Sequence, residues 1–154
     1  MCIRDRLLII GRGTNRKEVA EDPARELGIS DRVVFAGYRT ADYLDVIRCI
    51  DVFTFLVPGS DGTCRAVIEA LSMGIPVVAT RRGSLPEIVL DGKTGILSSE
   101  SPKALAESWK LLISETNLRA TMARAARVDA KNRFQIKRFS EDVEGLYHRT
   151  MQTG

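Results

Sequence analysis

Short apolar runs recur along this chain, each followed by a polar turn and then a stretch with helical spacing. "LLII", from Leu7 to Ile10, is closed by Gly11 and Gly13 and reads as a buried strand. "NRKEVAEDPARELGI" follows with helical character, broken near Pro23 and ending at Gly28, a natural C-cap. "RVVFAG" is a second strand rich in β-formers, and "TADYLDVIRCI" then spaces Tyr43, Leu44, Ile47 and Ile50 as one helix face. "DVFTFLV" is a third strand, ended by Pro58 and Gly59. A helix beginning at about Thr63 or Cys64 puts Val67, Ala70 and Leu71 on one side and stops at Gly74, before a fourth strand, "PVVAT". "SLPEIVL" is a short helix, and "DGKTGIL" a turn with a fifth strand. From Pro102 the pattern is helical to the end, with Leu105, Trp109, Leu112 and Ile113 on an apolar face.

Buried strands alternating with helices require a parallel sheet covered on both faces. The pattern therefore predicts an α/β fold, a Rossmann-like doubly wound parallel sheet with a helical C-terminal tail. At 154 residues the chain is long enough for one sizeable core and too short for two ordinary domains. No linker, low-complexity tract or internal repeat interrupts it.

Composition narrows this little. The net charge of +3 is modest, and the Arg residues concentrate between Arg119 and Arg138 on predicted helix. That cluster reads as a solvated helix face, with an acidic lipid surface or a nucleic acid as alternatives. Cys2, Cys49 and Cys64 have no C-x-x-C spacing and no neighbouring His, so no metal site is expected and a reduced, cytoplasmic compartment fits. No apolar run approaches the ~20 residues of a membrane span. Residues 1–6, "MCIRDR", carry no fold pattern and match the in-frame translation of a transposase adapter used in sequencing-library preparation. They are expected to be an assembly artefact, with coding sequence continuing upstream, which leaves 7–150 as a partial domain.

Ligands of open parallel sheets sit at the C-terminal ends of the strands. "GRGTNR" after the first strand lacks the third glycine of a dinucleotide fingerprint, and the next strand ends in Gly37, Tyr38 and Arg39 rather than an acid. No P-loop ending is present. "PGSDGTCRAVIE" is richer: Gly59 and Gly62 permit close backbone approach. Thr63 as N-cap leaves the N–H groups of Cys64, Arg65 and Ala66 for a phosphate. Arg65 either adds positive charge there or points to solvent. Glu69 lies about 9 Å further along the helix axis, tilted back toward the mouth, where it can accept bonds from vicinal hydroxyls. Asp61, on the other side of that mouth, can hold another hydroxylated group. For these two acids alone, a capping aspartate and a solvated glutamate remain the structural alternative.

The segment resembles the donor-binding domain of retaining nucleotide-sugar glycosyltransferases of GT-B architecture, the glycosyl transferases group 1 or family 4. The resemblance rests on Asp61, seven residues, Glu69-Ala70, then Gly74, Pro76 and "VVAT". "RVVFAGY", "GSLPEIVLDGKTGIL" and "LRATMARAARVDAKNRF" extend it, in order, from Leu7 to about Tyr147. The resemblance implies that Glu69 holds the ribose and that Asp61 contacts the transferred sugar. The Gly62-Thr63-Cys64 backbone lines sugar and phosphates, and Gly11, Gly13 and the Gly37-Tyr38-Arg39 loop border the nucleotide. Two departures stand out: the first acid is Asp where the family usually has Glu, and Gly-Thr-Cys-Arg replaces a glycine-aromatic-glycine turn.

The family transfers a glycosyl group to an acceptor hydroxyl with retention, usually without a divalent metal or other cofactor. Positive groups stabilise the departing nucleoside diphosphate; Thr63, Cys64 and Arg65 are the candidates here. By the same resemblance, the acceptor-binding domain and the first strand and helix of the donor domain are missing. The fragment alone is therefore expected to be inactive and poorly stable. The implied partners are a nucleotide-sugar donor and that missing domain, with no nucleic acid; peripheral membrane contact of the intact enzyme stays open. The alternatives are a degenerate nucleotide- or sugar-binding module and a sugar-nucleotide epimerase of similar fold. His148 is far along the terminal helix and is not a general base on this reading. Phe139, Val143, Leu146 and Tyr147 form an apolar face of that helix, expected to be left partly uncovered.

Overall fold

The apolar runs pair in parallel, as strands joined by helical crossovers must. The computed structural model describes residues 5–57 and 64–152. Two compact units divide the chain, Met1–Ile50 and Asp51–Gly154.

In the first unit β1 (Leu7–Ile10) pairs with β2 (Val33–Gly37), Leu7 opposite Val33 and, past an irregularity, Ile10 opposite Gly37. The crossover is a π-helical turn, Lys17–Glu21, running into α1 (Asp22–Glu26). Pro23 therefore does not break the helix. It sits at the junction where the π-helical turn passes into α1. Helix α1 closes with two bonds from residues past its end, Gly28 N–H to Arg25 O (3.0 Å) and Ile29 N–H to Ala24 O (2.9 Å). In α2 (Tyr43–Arg48) the expected face is only partly realised: Ile47 is buried, but Leu44 is half exposed.

The second unit holds a sheet of order β3-β4-β5, formed by Phe53–Phe55, Val77–Thr80 and Gly95–Ser98. Phe53 faces Val77, which in turn faces Gly95. Strand β4 is central, and all four of its residues are buried, as its apolar sequence requires. The α/β parallel fold is thus the one the alternation predicts.

Helix α3 (Arg65–Ser72) buries Val67, Ala70 and Leu71 and packs against β3, β4 and α6 (Thr116–Arg133). Its end carries the same double closure as α1, Gly74 N–H to Leu71 O (2.9 Å) and Ile75 N–H to Ala70 O (3.0 Å). Helix α5 (Pro102–Ser114) opens on Ser101, whose hydroxyl accepts from Ala104 N–H at 3.1 Å. Val78, Leu112 and Met122 form the centre of a core that Leu105, Trp109 and Leu118 extend. Trp109 also donates from Nε1 to Thr54 Oγ1 on β3 at 2.9 Å, so its polar edge is satisfied where its ring packs. Ile113, expected on the same face, is instead half exposed.

Helix α4 (Leu85–Ile88) is pinned to α6 by Arg133, which donates to the carbonyls of Glu87 and Ile88 and pairs with Asp129. On α7 (Ile136–Gln152), Phe139, Leu146 and Tyr147 are exposed and Val143 is half-buried, which is the uncovered face the sequence implies. No helix among the described residues is long and apolar enough to cross a membrane.

Candidate functional site

The helix carrying Glu69 starts later than the sequence suggests. Cys64 takes the N-cap position with φ 49° and ψ 38°, and the first helical residue is Arg65. A left-handed residue cannot continue a right-handed helix, so the start moves from Thr63 or Cys64 to Arg65. The Cys64 carbonyl accepts from Val67 N–H (2.8 Å) and Ile68 N–H (3.4 Å). Arg65 and Ala66 thus supply the first-turn N–H groups that lack a helical partner, at the positive end of the helix dipole.

With Val67, Ala70 and Leu71 turned into the core, Glu69 falls on the open side of α3, beside Arg65 one turn earlier. Their side chains form an ion pair, Arg65 Nε to Glu69 Oε1 at 3.1 Å. Arg65 is 79% exposed and Glu69 only 26%, so an open cation lies over a part-buried carboxylate. Of the two readings for Arg65, solvent or ligand, the structure adds a third contact, with Glu69 itself.

Cys64 is almost fully buried, and its Sγ lies 3.5 Å from Ser84 Oγ, just before α4. Ser84 starts an S-x-x-E sequence that ordinarily caps a helix, but its hydroxyl does not cap α4. Thr80, buried at the C-terminal end of β4, donates from Oγ1 to the Leu56 carbonyl and so ties that end to the segment leaving β3. Neither Thr80 nor Ser84 stood out in the sequence; the S-x-x-E spacing and the polar end of "VVAT" were the available signals. Beyond Thr80, Arg81 pairs with Asp91 at 2.6 Å and Arg82 holds Glu100 through two bonds of 2.5 Å. That hydrogen-bonded pairing lowers the Glu100 pKa and raises that of Arg82.

In the first unit the residue after β1 is bonded to the last residue of β2, which brings the loops that follow together. Gly11 N–H donates to Gly37 O at 2.9 Å, and the Arg12 guanidinium lies over the Tyr38 ring, 4.2 Å from its centroid. Gly13 continues the first loop, and a Cβ placed on it meets no atom within 4 Å. Arg39 is occupied locally by a two-pronged pair with Asp42, one arm at 2.9 Å.

Of the predicted site residues, Cys64, Arg65 and Glu69 come together on the first two turns of α3, and Gly11, Gly13, Gly37 and Tyr38 on the joined loops. Asp61, Gly62 and Thr63 lie outside the described residues, as does Gly59. His148 is exposed on α7, 3.8 Å from Glu144. Among the described residues no group of three His, Cys, Asp or Glu side chains is arranged to hold a metal ion.

Known proteins resemble this chain in sequence and in fold. A family model described as "Glycosyl transferases group 1" matches residues 2–115. The D-inositol 3-phosphate glycosyltransferase of Corynebacterium urealyticum is 36% identical over 119 residues, spanning 75% of this chain and 28% of the relative. Spore coat protein SA of Bacillus subtilis is 29% identical over 122 residues, spanning 77% of this chain and 32% of the relative. The chain thus spans about a third of the length of the curated relatives it matches. Among solved structures, Anabaena Alr3699/HepE in complex with UDP-glucose superposes with a TM-score of 0.80 at 26% identity, over 94% of this chain and 41% of that one. The chain therefore belongs to the glycosyl transferases group 1 family and carries its Rossmann-like, GT-B-type fold.

Proposed function

We propose that this chain is the nucleotide-sugar-binding part of a glycosyltransferase that passes a glycosyl group to an acceptor hydroxyl with retention of configuration. The observation that carries the reading is Glu69: a part-buried carboxylate on the open side of an eight-residue helix, in the family's register before Gly74 and a buried strand. In this reading Glu69 accepts hydrogen bonds from the ribose hydroxyls. The N–H groups of Arg65 and Ala66, with the Arg65 guanidinium, face the diphosphate. Asp61 contacts hydroxyls of the transferred sugar, and the Gly62-Thr63-Cys64 backbone lines sugar and phosphates. Gly11, Gly13, Gly37 and Tyr38 border the nucleotide.

The acceptor oxygen bonds to the anomeric carbon as the bond to the diphosphate oxygen breaks, and the acceptor's hydroxyl proton passes to the departing diphosphate. Positive groups around the diphosphate stabilise the charge that develops on the leaving group. This chemistry needs no side-chain metal cluster. The acceptor is held by a further domain of the natural protein, in keeping with the length of the relatives, so the present segment alone is inactive.

A panel of UDP-, GDP- and ADP-sugars offered to the full-length natural chain tests the reading, with the anomeric configuration of product read by NMR. Transfer with retention is expected. Binding without transfer to any acceptor identifies a binding module instead, and interconversion of the donor sugar without transfer identifies an epimerase. Absence of all nucleotide-sugar binding removes the reading.

A further inference from the structure

We propose that a cleft between α6 and the turn before β5 binds the phosphate group of a small phosphomonoester, apart from the site assigned to the donor. The cleft has a volume of about 370 Å³, within the ~300–1,000 Å³ range of small-molecule sites. One wall is a stripe of α6 with Thr121, Arg124, Val128 and Asn132 at helical spacing, and the other is Lys93. Both walls are fixed. The turn that carries Lys93 is closed by Lys93 N–H to Leu90 O (3.0 Å), Thr94 N–H to Leu90 O (2.9 Å) and Gly92 N–H to Gly95 O (2.9 Å). Helix α6 is seated by buried Met122, Ala126 and Ala130. Because Lys93 precedes β5, the cleft lies at the N-terminal end of the sheet. A Cβ on Gly74, just past the end of α3, would lie 3.2 Å from the Ala123 carbonyl oxygen, so α6 meets the far end of α3 beside the cleft. The length of α3, about 12 Å at ~1.5 Å per residue, lies between that contact and the Arg65 turn.

Lys93 and Arg124 are exposed and pair with no carboxylate among the described residues. Arg124 donates to Thr121 Oγ1 at 3.1 Å, which sets the guanidinium along the stripe and leaves further N–H groups for a ligand. Asp129, the acid in the cleft, does not cancel these charges, since it is 10% exposed and paired with Arg133 at 2.9 Å. The site therefore favours an anion. A phosphomonoester carries about two negative charges at neutral pH and offers three oxygens, which a guanidinium, an ammonium and the Asn132 amide can share. Val128, 60% exposed, gives the carbon body an apolar wall. A broad anionic surface finds much less here. Of the arginines between Arg119 and Arg138, Arg119 donates to the Leu112 and Ile113 carbonyls, Arg133 to those of Glu87 and Ile88, and Arg138 to that of Asn132. The cluster seen in the sequence is thus largely spent within the fold, and the open charge gathers in a concavity.

Glycerol 3-phosphate is the probe, titrated by calorimetry into the full-length natural chain with UDP, GDP and ADP present to fill the donor's phosphate contacts. The same titration is run on Lys93→Gln, Arg124→Gln and Arg124→Lys, with circular dichroism to check folding. Lys110→Gln, at an exposed position on α5 outside the cleft, controls for the loss of one positive charge. Saturable binding is expected, weakened about tenfold in Lys93→Gln and in Arg124→Gln and unchanged in Lys110→Gln. Arg124→Lys is expected to fall between, since it keeps the charge and loses the fork. Phosphatidylcholine vesicles containing phosphatidic acid separate two sources of the group. Co-sedimentation lost in the same two variants assigns the site to a lipid headgroup, and no co-sedimentation assigns it to a soluble phosphomonoester. Absence of saturable probe binding to the wild-type chain overturns the proposal. So does unchanged binding in Lys93→Gln or Arg124→Gln, or equal weakening in Lys110→Gln, which reduces the effect to overall charge. A chain that binds the probe through Lys93 and Arg124 but binds no nucleoside diphosphate keeps this site and loses the donor reading.

Discussion

Arg65 Nε lies 3.1 Å from Glu69 Oε1, so the carboxylate assigned to the donor is already held by a cation from its own helix. Arg65 precedes Glu69 by one turn, the weaker orientation for a helical ion pair, and its side chain is 79% exposed. The contact contributes little to folding. Arg65→Ala is expected to change stability by no more than about 0.5 kcal/mol in urea denaturation. A larger loss would give Arg65 a structural role that its exposure does not indicate.

Strand packing leaves no room at Gly95. A Cβ there falls 2.0 Å from the Val77 carbonyl oxygen, a backbone atom that cannot swing aside. Gly95→Ala forces β4 and β5 apart at the centre of the second unit and is expected to cost about 3 kcal/mol or more. A thermal melt reads this directly; an unchanged Tm would contradict the close approach.

Much of this architecture is written in the apolar pattern. The "VVAT" run becomes the fully buried central strand, and Gly74 and Gly28 end their helices as placed. What escaped the pattern are features decided by backbone or tertiary context. Cys64 adopts a left-handed conformation that residue type alone favours only for Gly or Asn, and so shifts the start of α3. Ile113 follows Leu112 on α5 but lies about 100° further round the helix, and Leu112 takes the buried position while Ile113 stays half exposed. Ser84 has the spacing of a capping box, yet its hydroxyl lies by the Cys64 thiol instead. The helix that carries Glu69 was legible from spacing. The Arg12–Tyr38 contact was not, because it joins loops 26 positions apart through a sheet register.

The Arg82–Glu100 pair carries a pH signature. Hydrogen bonding to Arg82 lowers the folded-state pKa of Glu100 below its ordinary value. A depressed carboxylate contributes stability above its unfolded pKa and loses it as pH falls through the folded one. The raised Arg82 pKa acts only at the far alkaline end and leaves neutral pH untouched. The Tm difference between wild type and Glu100→Gln is therefore expected to be constant above about pH 5 and to shrink toward zero below about pH 4. A difference that grows in acid would contradict the assignment.

Arg133 joins α6 to the last carbonyls of α4 while pairing with Asp129. Removing it strands two carbonyls and a carboxylate that is only 10% exposed. Arg133→Met is expected to lower stability by about 2 kcal/mol. Arg133→Lys is expected to recover only part of that, since an ammonium cannot fork between the two carbonyls and the acid at once. Urea denaturation of the two variants side by side checks both expectations.

Glu69 is the centre of the account, and donor kinetics of Glu69→Gln in the full-length natural chain test it most directly. The substitution keeps the size of the side chain and removes the charge that accepts hydroxyl hydrogen bonds. Loss of charged hydrogen bonds of this kind costs about 2–3 kcal/mol, so kcat/KM for the nucleotide-sugar donor is expected to fall by roughly 50-fold, with the circular dichroism spectrum unchanged. Unaltered donor kinetics in a folded Glu69→Gln enzyme would contradict the assignment of Glu69 to the donor.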